Sequence, residues 1–357
     1  RPGWRGVHFE ELFLGCGIGD AFGAGVEFRD CQWIHTHVKG DAFVCRRGDP
    51  VLNFYYRGSL SVDDDGMGQN FMPGMYTDDC EMTLGLAHAL MDRDLGGKPS
   101  GLDMLRYWKC EYDKGSSHYL LTRLWALAGI GRNGHGGIAH VFSGTCSLED
   151  MRLRIAKMRY PGNAPPMRAL PLAFLDDALM VELAKENANS THPHVKARAA
   201  SLGMAITGRL FIIERLAPKD IIPAVCRELT RLSELIDPDT SMLDSETTEY
   251  LQEVDKLPSP GELDSDFETF ISEKTLCVLC GPQPIWAGPG GSDGKPRMVR
   301  GLNADAQRTL GCVLYVLKHH DEGMVLQTLR RSLYIGGDVD SLAALCLACV
   351  GGREGLG

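Results

Sequence analysis

The chain is organised around GGDVDS at residues 336–341, which is followed by the uncharged run LAALCLACVGG at 342–352. The two glycines free the backbone to turn, and the run after them predicts a buried helix. Asp338, Asp340 and Ser341 therefore lie at the start of that helix. Carboxylates this close repel each other unless a positive charge lies between them, and a hard divalent cation with oxygen ligands would supply it. The alternative is that both aspartates only cap the helix.

The composition limits the classes of protein to which this chain can belong. The 357 residues carry a formal net charge of -10, which argues against direct binding to nucleic acid or to a membrane surface. No apolar stretch reaches transmembrane length. The 12 cysteines, without a signal-like N-terminus, predict reduced thiols in an intracellular protein. We expect a cytoplasmic monomer, with an organellar location as the alternative because the sequence starts at Arg1 rather than at methionine.

Two Cys-x-x-Cys pairs are present, Cys277 with Cys280 and Cys346 with Cys349. Together they have a spacing that zinc sites use. However, the second pair lies inside the apolar run after the final motif, where cysteine behaves as a small core residue. We therefore interpret these cysteines as core thiols rather than as zinc ligands or redox centres.

Helical periodicity dominates the chain and strand signals are sparse, which predicts an all-α fold in a single domain, 1–357. Helices are expected at about 4–18, 76–91, 101–130, 196–216, 218–236, 266–280, 304–320, 322–334 and 342–352. Two excursions interrupt them, at about 30–75 and 237–300. The first is aromatic and glycine-rich. The second combines an acidic surface segment, 237–268, with a Gly/Pro-rich loop, 282–300.

Residues 15–27, GCGIGDAFGAGVE, are rich in small side chains, so another backbone or a ligand can approach closely. The spacing of the glycines is similar to a Rossmann fingerprint, but a helical pattern rather than a strand precedes it, so this interpretation fails. Within the stretch, Asp20 could bind a ligand or cap a backbone. Glu27 could reach a metal or be solvated.

A second acidic cluster, TDDCE at 77–81, opens the helix that is predicted to end near 91. The spacing of Asp78 and Glu81 matches a capping box, which is the structural interpretation. Yet Thr77, Asp78 and Asp79 also repeat the chemistry of the final motif, with adjacent carboxylates and a hydroxyl at a helix start. Two such clusters, far apart in sequence, suggest one shared site with oxygen ligands.

Several motifs in this order resemble the ADP-ribosylglycohydrolase family. They are GDAFG at 19–23 with Glu27, TDD at 77–79, GN at 162–163 with MR at 167–168, TH at 191–192, and the final GGDVDS. Together they span almost the whole chain. The resemblance implies a compact orthogonal bundle of helices and hydrolysis of the bond between ADP-ribose and an acceptor. It also implies a binuclear site for two Mg²⁺ ions, or Mn²⁺ in some members.

The resemblance also implies residue roles. The metal ligands would be Thr77, Asp78, Asp79, Asp338, Asp340 and Ser341. Asp340 would bridge the two ions, and Glu27, Asp78 and Asp340 would be the catalytic residues. The substrate-binding residues would be Gly19, Asp20, Gly23, Gly162, Asn163, Met167, Arg168 and His192. Of these, Gly19 and Gly23 are expected in a loop close to the ribose, and the segment around 162–168 is expected to cradle the pyrophosphate, largely through backbone N–H groups.

The sequence departs from the family pattern at three places. Cys80 and Ser341 stand where threonine is usual, and Ala164-Pro165-Pro166 replaces glycine and small residues. Two prolines remove two N–H donors. If those donors bind pyrophosphate in relatives, we expect this chain to bind it differently or to accept another ligand. Two alternatives therefore stand beside the ADP-ribosyl-acceptor hydrolase. One is a hydrolase of another ribosyl compound, and the other is a non-catalytic binding or structural member of the family.

The expected partner is ADP-ribose or an ADP-ribosylated protein, and the acceptor linkage stays open between arginine and serine. The acidic net charge favours a cationic acceptor such as arginine. The acidic run 63–65 supports that choice, whereas Lys295, Arg297 and Arg300 in the loop 282–300 oppose it.

Overall fold

The computed structural model describes residues 4–38, 76–113, 141–142, 144–157, 161–234, 245–261, 272–287 and 297–357. Helices dominate these ranges, and the predicted all-α fold is confirmed. The acidic run 63–65 and residues 114–130 of one predicted helix lie outside the described residues.

The first part of the chain forms helices α1 (Phe9–Ala24), α2 (Cys31–His37), α3 (Asp78–Met91), α4 (Gly101–Asp113), α5 (Leu148–Ala156), α6 (Ala164–Met167) and α7 (Asp177–Thr191). The second part forms α8 (Val195–Gly208), α9 (Ile221–Ser233), α10 (Ser245–Asp255), α11 (Glu273–Cys280), α12 (Ala306–Lys318), α13 (Val325–Tyr334) and α14 (Val339–Glu354). A π-helical turn, Arg209–Ile213, continues α8, and 3-10 turns lie at Leu170–Phe174 and Pro218–Asp220. Strands β1 (Ile285–Trp286) and β2 (Met298–Val299) pair antiparallel.

Helix α14 lies at the centre of the fold. All of its residues from Val339 to Gly352 are buried, as expected for an uncharged run that must be covered on every side. Helices α1, α3, α12 and α13 pack around it. The start of α14, which carries the final acidic motif, is therefore held deep within the bundle.

Helix α1 packs so closely against α14 that the two backbones are in contact. A Cβ atom on Gly15 would lie 2.3 Å from the carbonyl oxygen of Leu347, and one on Gly19 would lie 2.2 Å from that of Ala343. A Cβ atom on Gly23 would lie 2.2 Å from the Cα atom of Asp340. The four-residue spacing places these glycines on one face of α1. The stretch 15–27 thus permits the close approach of another backbone.

The expectation that Gly19 and Gly23 lie in a loop is wrong, because α1 extends to Ala24. Glycine lowers intrinsic helix stability, so the sequence pattern alone favours an earlier helix end. In the fold, packing against α14 compensates for that preference. Both glycines face the backbone of α14.

Two predicted excursions contain regular structure. Helix α2 lies within 30–75, and its first N–H groups are capped by Asp30, whose side chain accepts from Gln32 N. Helix α10 lies within 237–268, where Leu251 and Val254 are fully buried and the Tyr250 hydroxyl donates to the carbonyl of Leu279 at 2.7 Å. The expectation of a surface segment is wrong for these residues. The acidic side chains of the exposed face dominate the sequence of this segment, so the narrow apolar face that is buried is hard to recognise.

Three chain segments cross just before α14. The N–H of Phe28 donates to Gly337 O at 2.7 Å, and the N–H of Leu302 donates to Gly336 O at 2.9 Å. Both glycines have φ +77, and a Cβ atom on Gly337 would lie 2.1 Å from the carbonyl oxygen of Leu302. Only glycine fits such a turn. The crossing brings Glu27, which precedes Phe28, close to Asp338.

Cysteines within the described residues are free thiols. Cys346 and Cys349 are fully buried in α14, and Cys280 lies 4.0 Å from Cys312 in the core, sulfur to sulfur. Groups of described residues able to hold a metal contain carboxylates and no cysteine. Among the helices that the structure describes, none has the length and apolar character that a membrane crossing requires.

Candidate functional site

Two groups of carboxylates meet at the start of α14. Oxygen atoms of Asp20, Asp79 and Asp340 lie within 4.8 Å of one another, and so do oxygen atoms of Glu27, Asp338 and Asp340. Asp340 belongs to both groups. All but the half-buried Glu27 are buried. The structure thus brings together candidates that stand at opposite ends of the sequence.

Asp20 of α1 organises the start of α3. One carboxylate oxygen accepts from Thr77 N at 2.9 Å and from Cys80 N at 3.1 Å, and the other accepts from the Thr77 hydroxyl at 2.8 Å. The side chain of Thr77, the N-cap residue, makes no capping hydrogen bond of its own. Asp20 therefore caps the start of α3 in place of the N-cap side chain, which usually accepts from an N–H group of the first turn. The first turn of α3, with Asp78 and Asp79, is fixed against α1.

The final motif has two differently held aspartates. Asp338 is the N-cap residue of α14, but its side chain makes no capping hydrogen bond, so the interpretation as a simple cap fails for it. Instead its Oδ2 accepts from Asn163 Nδ2 at 2.7 Å. The same amide nitrogen lies 3.0 Å from Ser341 Oγ. Asp340 Oδ1 accepts from Ser341 N at 3.0 Å.

Burial and the neighbouring carboxylates raise the pKa values of this cluster. Burial, followed by the charge of Asp78, raises the pKa of Asp20 to about 8, although Thr77 and Cys80 oppose the rise by donating hydrogen bonds. Burial and then Glu27 raise the pKa of Asp338 to about 7. For Asp79 and Asp340, burial and the neighbouring carboxylates raise the pKa well above its ordinary range. Without a cation, this cluster stays partly protonated near neutral pH.

Arg168 is buried and its guanidinium is bound to α7. Its Nε donates to Asn187 Oδ1 at 2.6 Å, and its Nη2 lies within hydrogen-bond distance of the Ser190 and Thr191 hydroxyls at 3.0 and 2.8 Å. Burial lowers the pKa of Arg168 to about 9. The side chain therefore fixes the segment after α6 to α7, and contact with a ligand there would have to come from the backbone.

His192 lies at the end of α7 and points at Gly162. Its Nδ1 is 2.8 Å from the Thr191 hydroxyl, and its Nε2 is buried without a hydrogen-bond partner among the described residues. A Cβ atom on Gly162 would lie 2.9 Å from that Nε2 atom. Burial, then the charges of Arg168 and His194, lower the pKa of His192 to about 3. The imidazole is neutral, so Nε2 can donate or accept according to its tautomer.

The remaining members of the predicted substrate segment are also buried. The side chain of Met167 packs with Met82, Leu105 and Trp108. The carbonyl oxygen of Met167 accepts from the Thr83 hydroxyl at 3.4 Å. The segment is therefore tied to α3 as well as to α7.

The family model of ADP-ribosylglycohydrolases matches residues 8–357. The chain belongs to this family. Of 38 solved chains that match significantly, one is described as an ADP-ribosylglycohydrolase-related protein complex. It is 19% identical with a TM-score of 0.55, and the match covers 99% of this chain and 89% of that one. Identity this low shows a shared fold. No curated protein sequence matches with significance.

Membership of the ADP-ribosylglycohydrolases supports a hydrolase acting on glycosidic bonds. The acidic cluster also fits the metal dependence that is typical of this family. Its donors are carboxylates and hydroxyls, which suit hard divalent cations. Asp79 Oδ1 is buried and has no hydrogen-bond partner among the described residues. Such an oxygen is costly unless a cation completes its surroundings.

The raised pKa values predict how the metal-free protein responds to pH. Asp20 and Asp338, with pKa values near 8 and 7, keep protons that the unfolded chain loses at about pH 4. Because the folded state binds more protons between these limits, its stability falls as pH rises from about 4 to 8. One pKa unit corresponds to about 1.4 kcal/mol, so pKa values raised by about 3 and 4 units predict a loss on the order of 10 kcal/mol across this range.

Thermal melts in EDTA at pH 5, 6, 7 and 8 measure this loss, and the same series in millimolar Mg²⁺ is the comparison. Magnesium should raise the melting temperature and flatten its fall with pH, because a ligand at a hundredfold excess over its Kd adds about 2.7 kcal/mol. A metal-free melting temperature that stays level or rises from pH 5 to 8 would refute the prediction.

Sequence reasoning missed the polar face of α7 that holds Arg168. Asn187, Ser190 and Thr191 are fully buried and lie on one side of the helix. Their spacing of three and four residues is the available signal, because buried polar side chains at helical spacing need partners. The cap that Asp20 supplies to Thr77 had no such signal, since the two residues are 57 positions apart.

Proposed function

We propose that this chain hydrolyses the bond between ADP-ribose and an acceptor at a binuclear site for two Mg²⁺ ions, with Mn²⁺ as a possible substitute. The proposal is supported by one observation in a chain of the ADP-ribosylglycohydrolase family: two groups of carboxylates that share Asp340 lie together at the start of α14. These are Asp20, Asp79 and Asp340, and Glu27, Asp338 and Asp340. The site lies within the single domain that we assign to 1–357.

The ions would be held by oxygen ligands at the starts of two helices. Their ligands would be Thr77, Asp78, Asp79, Asp338, Asp340 and Ser341. Asp340 would bridge the ions, which is supported by its place in both carboxylate groups. Divalent cations bound here would offset the carboxylate charge, orient ribose hydroxyls and lower the pKa of a bound water.

Among the five carboxylates of the two groups, Glu27 has the best access to a substrate. It is half-buried, whereas Asp79, Asp338 and Asp340 are at most 4% exposed. The backbone ladder that joins Phe28 and Arg29 to Gly337 keeps it near Asp338. A carboxylate so placed can accept the proton of the attacking water. Asp78 and Asp340 would act beside it by holding charge at the reacting centre.

Substrate binding is best supported at the segment 162–168 and at His192. The Nε2 of His192 is buried beside Gly162 without a hydrogen-bond partner among the described residues, which supports a polar partner bound at this segment. Gly19, Asp20 and Gly23 would contribute by shaping the wall of the site, since each is engaged with α14 or α3. Arg168 and Met167 would act through their backbone, because their side chains are buried.

A second candidate function is hydrolysis of another ribosyl compound. It is favoured by Pro165 and Pro166, which lie in the first turn of α6 and offer no N–H to a pyrophosphate. The carbonyl of Pro165 accepts from Asn187 at 2.9 Å, so this turn is also firmly held. A non-catalytic role is disfavoured by the cost of keeping so many carboxylates buried together.

The experiment that tests the proposal is incubation of the protein with ADP-ribosylated arginine, ADP-ribosylated serine and poly(ADP-ribose) in Mg²⁺, with mass analysis of the products. Release of ADP-ribose that stops in EDTA is the expected result. If no substrate releases ADP-ribose while the protein binds Mg²⁺, the second candidate function takes its place.

The acceptor prediction favours arginine over serine. Two cations of the loop 282–300 are engaged within the fold: Arg300 pairs with Asp30 at 2.8 Å, and Arg297 donates to the carbonyl of Phe28. Because these two arginines are already paired, the loop 282–300 repels a cationic acceptor less. The net negative charge of the chain then favours the cationic guanidinium of arginine. Initial rates on matched arginine-linked and serine-linked peptides measure the preference. Faster release from serine would reverse it.

A further inference from the structure

Asn163 connects a buried turn to the start of α14. It is the N-cap residue of α6 and only 7% exposed. Its Nδ2 lies 2.7 Å from Asp338 Oδ2 and 3.0 Å from Ser341 Oγ, across 175 and 178 residues of chain. Asp338 and Ser341 lie one turn apart on α14, so a single amide reaches both.

We propose that Asn163 is a positioning residue that orients Asp338 and Ser341 to bind a divalent cation. This inference rests on the metal site of the proposed function. The NH₂ end of the amide faces Asp338, whose carboxylate would only accept hydrogen bonds when it is ionised and binds a cation. With one lone pair of Ser341 Oγ taken by the amide, the other stays available to a cation. Hydrogen bonds that orient ligands in this way tune metal affinity.

The turn that carries Asn163 is anchored on several sides. Its own carbonyl accepts from Met167 N at 3.0 Å, which closes α6. The carbonyl of Pro161 accepts from Ala306 N at 3.0 Å, and Pro165 O accepts from Asn187. A side chain on so rigid a segment has little freedom to move, so it can impose a position on the ligands it contacts.

This role differs from the substrate contact that the family resemblance implies for Asn163. Both protons of its amide are directed at α14, so they are not available to a substrate. Loss of the amide should therefore weaken binding of the metal, whereas loss of a substrate contact would raise KM without changing the affinity for Mg²⁺.

The test compares Asn163→Ala and Asn163→Leu with Gln307→Leu. Leucine fills a similar volume without hydrogen-bonding groups. Gln307 is a suitable control because it is also a buried, hydrogen-bonded amide, yet its Nε2 donates to the Thr247 hydroxyl at 3.0 Å, and Thr247 belongs to neither α6 nor α14. Calorimetric titration of each metal-free protein with Mg²⁺, in the absence of substrate, gives the affinities, and thermal melts report whether each variant is folded.

We expect both Asn163 variants to bind Mg²⁺ about 10- to 100-fold more weakly than the wild type, with the Gln307→Leu affinity unchanged. Raising Mg²⁺ should restore kcat with little change in the KM for substrate. Wild-type affinity in a folded Asn163 variant, an equal loss in Gln307→Leu, or failure of both Asn163 variants to fold would each overturn the proposal. A wild-type protein that binds no Mg²⁺ would instead refute the metal site of the proposed function.

Discussion

Asp340→Asn should abolish hydrolysis while leaving the fold intact. Asp340 contributes an oxygen to both carboxylate groups, so its charge would act on both cations. Losing several kcal/mol of charge stabilisation lowers the rate roughly a thousandfold or more. In EDTA the variant should melt no lower than the wild type, because asparagine replaces a carboxyl group whose charged form is disfavoured by burial and by its neighbours.

Asp305→Asn is the matched control. Asp305 is another buried aspartate whose pKa is raised chiefly by burial, but its side chain caps α12 by accepting from Arg308 N at 2.9 Å. Asparagine can make the same cap, so activity should survive. Rates and melts of both variants, with and without Mg²⁺, decide the matter. Near-wild-type turnover in Asp340→Asn would exclude a bridging role.

Gly19→Ala should unfold the protein or destabilise it by about 3 kcal/mol or more. The added Cβ would meet the backbone of Ala343 at 2.2 Å, and no side-chain rotation can relieve a clash with a main chain. The central pair, α1 and α14, would have to separate. Denaturant titration measures the change in the free energy of unfolding.

Gly17→Ala provides the control on the same helix. Its Cβ would lie 3.7 Å from the sulfur of Cys80, an ordinary contact distance, so there is room for it. Alanine in a helix is favoured over glycine by about 0.5–1 kcal/mol, so stability should hold or rise slightly. Equal stability of the two variants would show that the α1–α14 contact is looser than described.

The sequence predicts α14 well because one physical property, a long run without charge, determines its burial. It predicts α1 less well. There, glycine's poor helix propensity argues for an early helix end, and only the distant Ala343 and Leu347 explain why the helix continues. Helix α10 was hidden for a different reason. Its exposed acidic side chains dominate the composition of 237–268, although Leu251 and Val254 are buried.

Residue types in the candidate site were predictable, but their partners were not. Clustered carboxylates at two predicted helix starts suggest a site with oxygen ligands from the sequence. That Asp20 caps α3, and that Asn163 reaches Asp338, depends on contacts across 57 and 175 residues. No local pattern encodes such contacts. The same holds for Arg168, whose charge suggests a phosphate but whose neighbours on α7 take its hydrogen bonds.

The most direct test of the central claim is the stoichiometry of Mg²⁺ binding. Metal-free wild-type protein and Asp340→Asn would be titrated by calorimetry at pH 8, where Asp338 has largely lost its proton and Asp20 has lost about half of its own. The claim predicts saturable binding of two ions by the wild type and a clear loss of affinity in the variant. Absence of saturable binding in the wild type, or identical binding by Asp340→Asn, would contradict it.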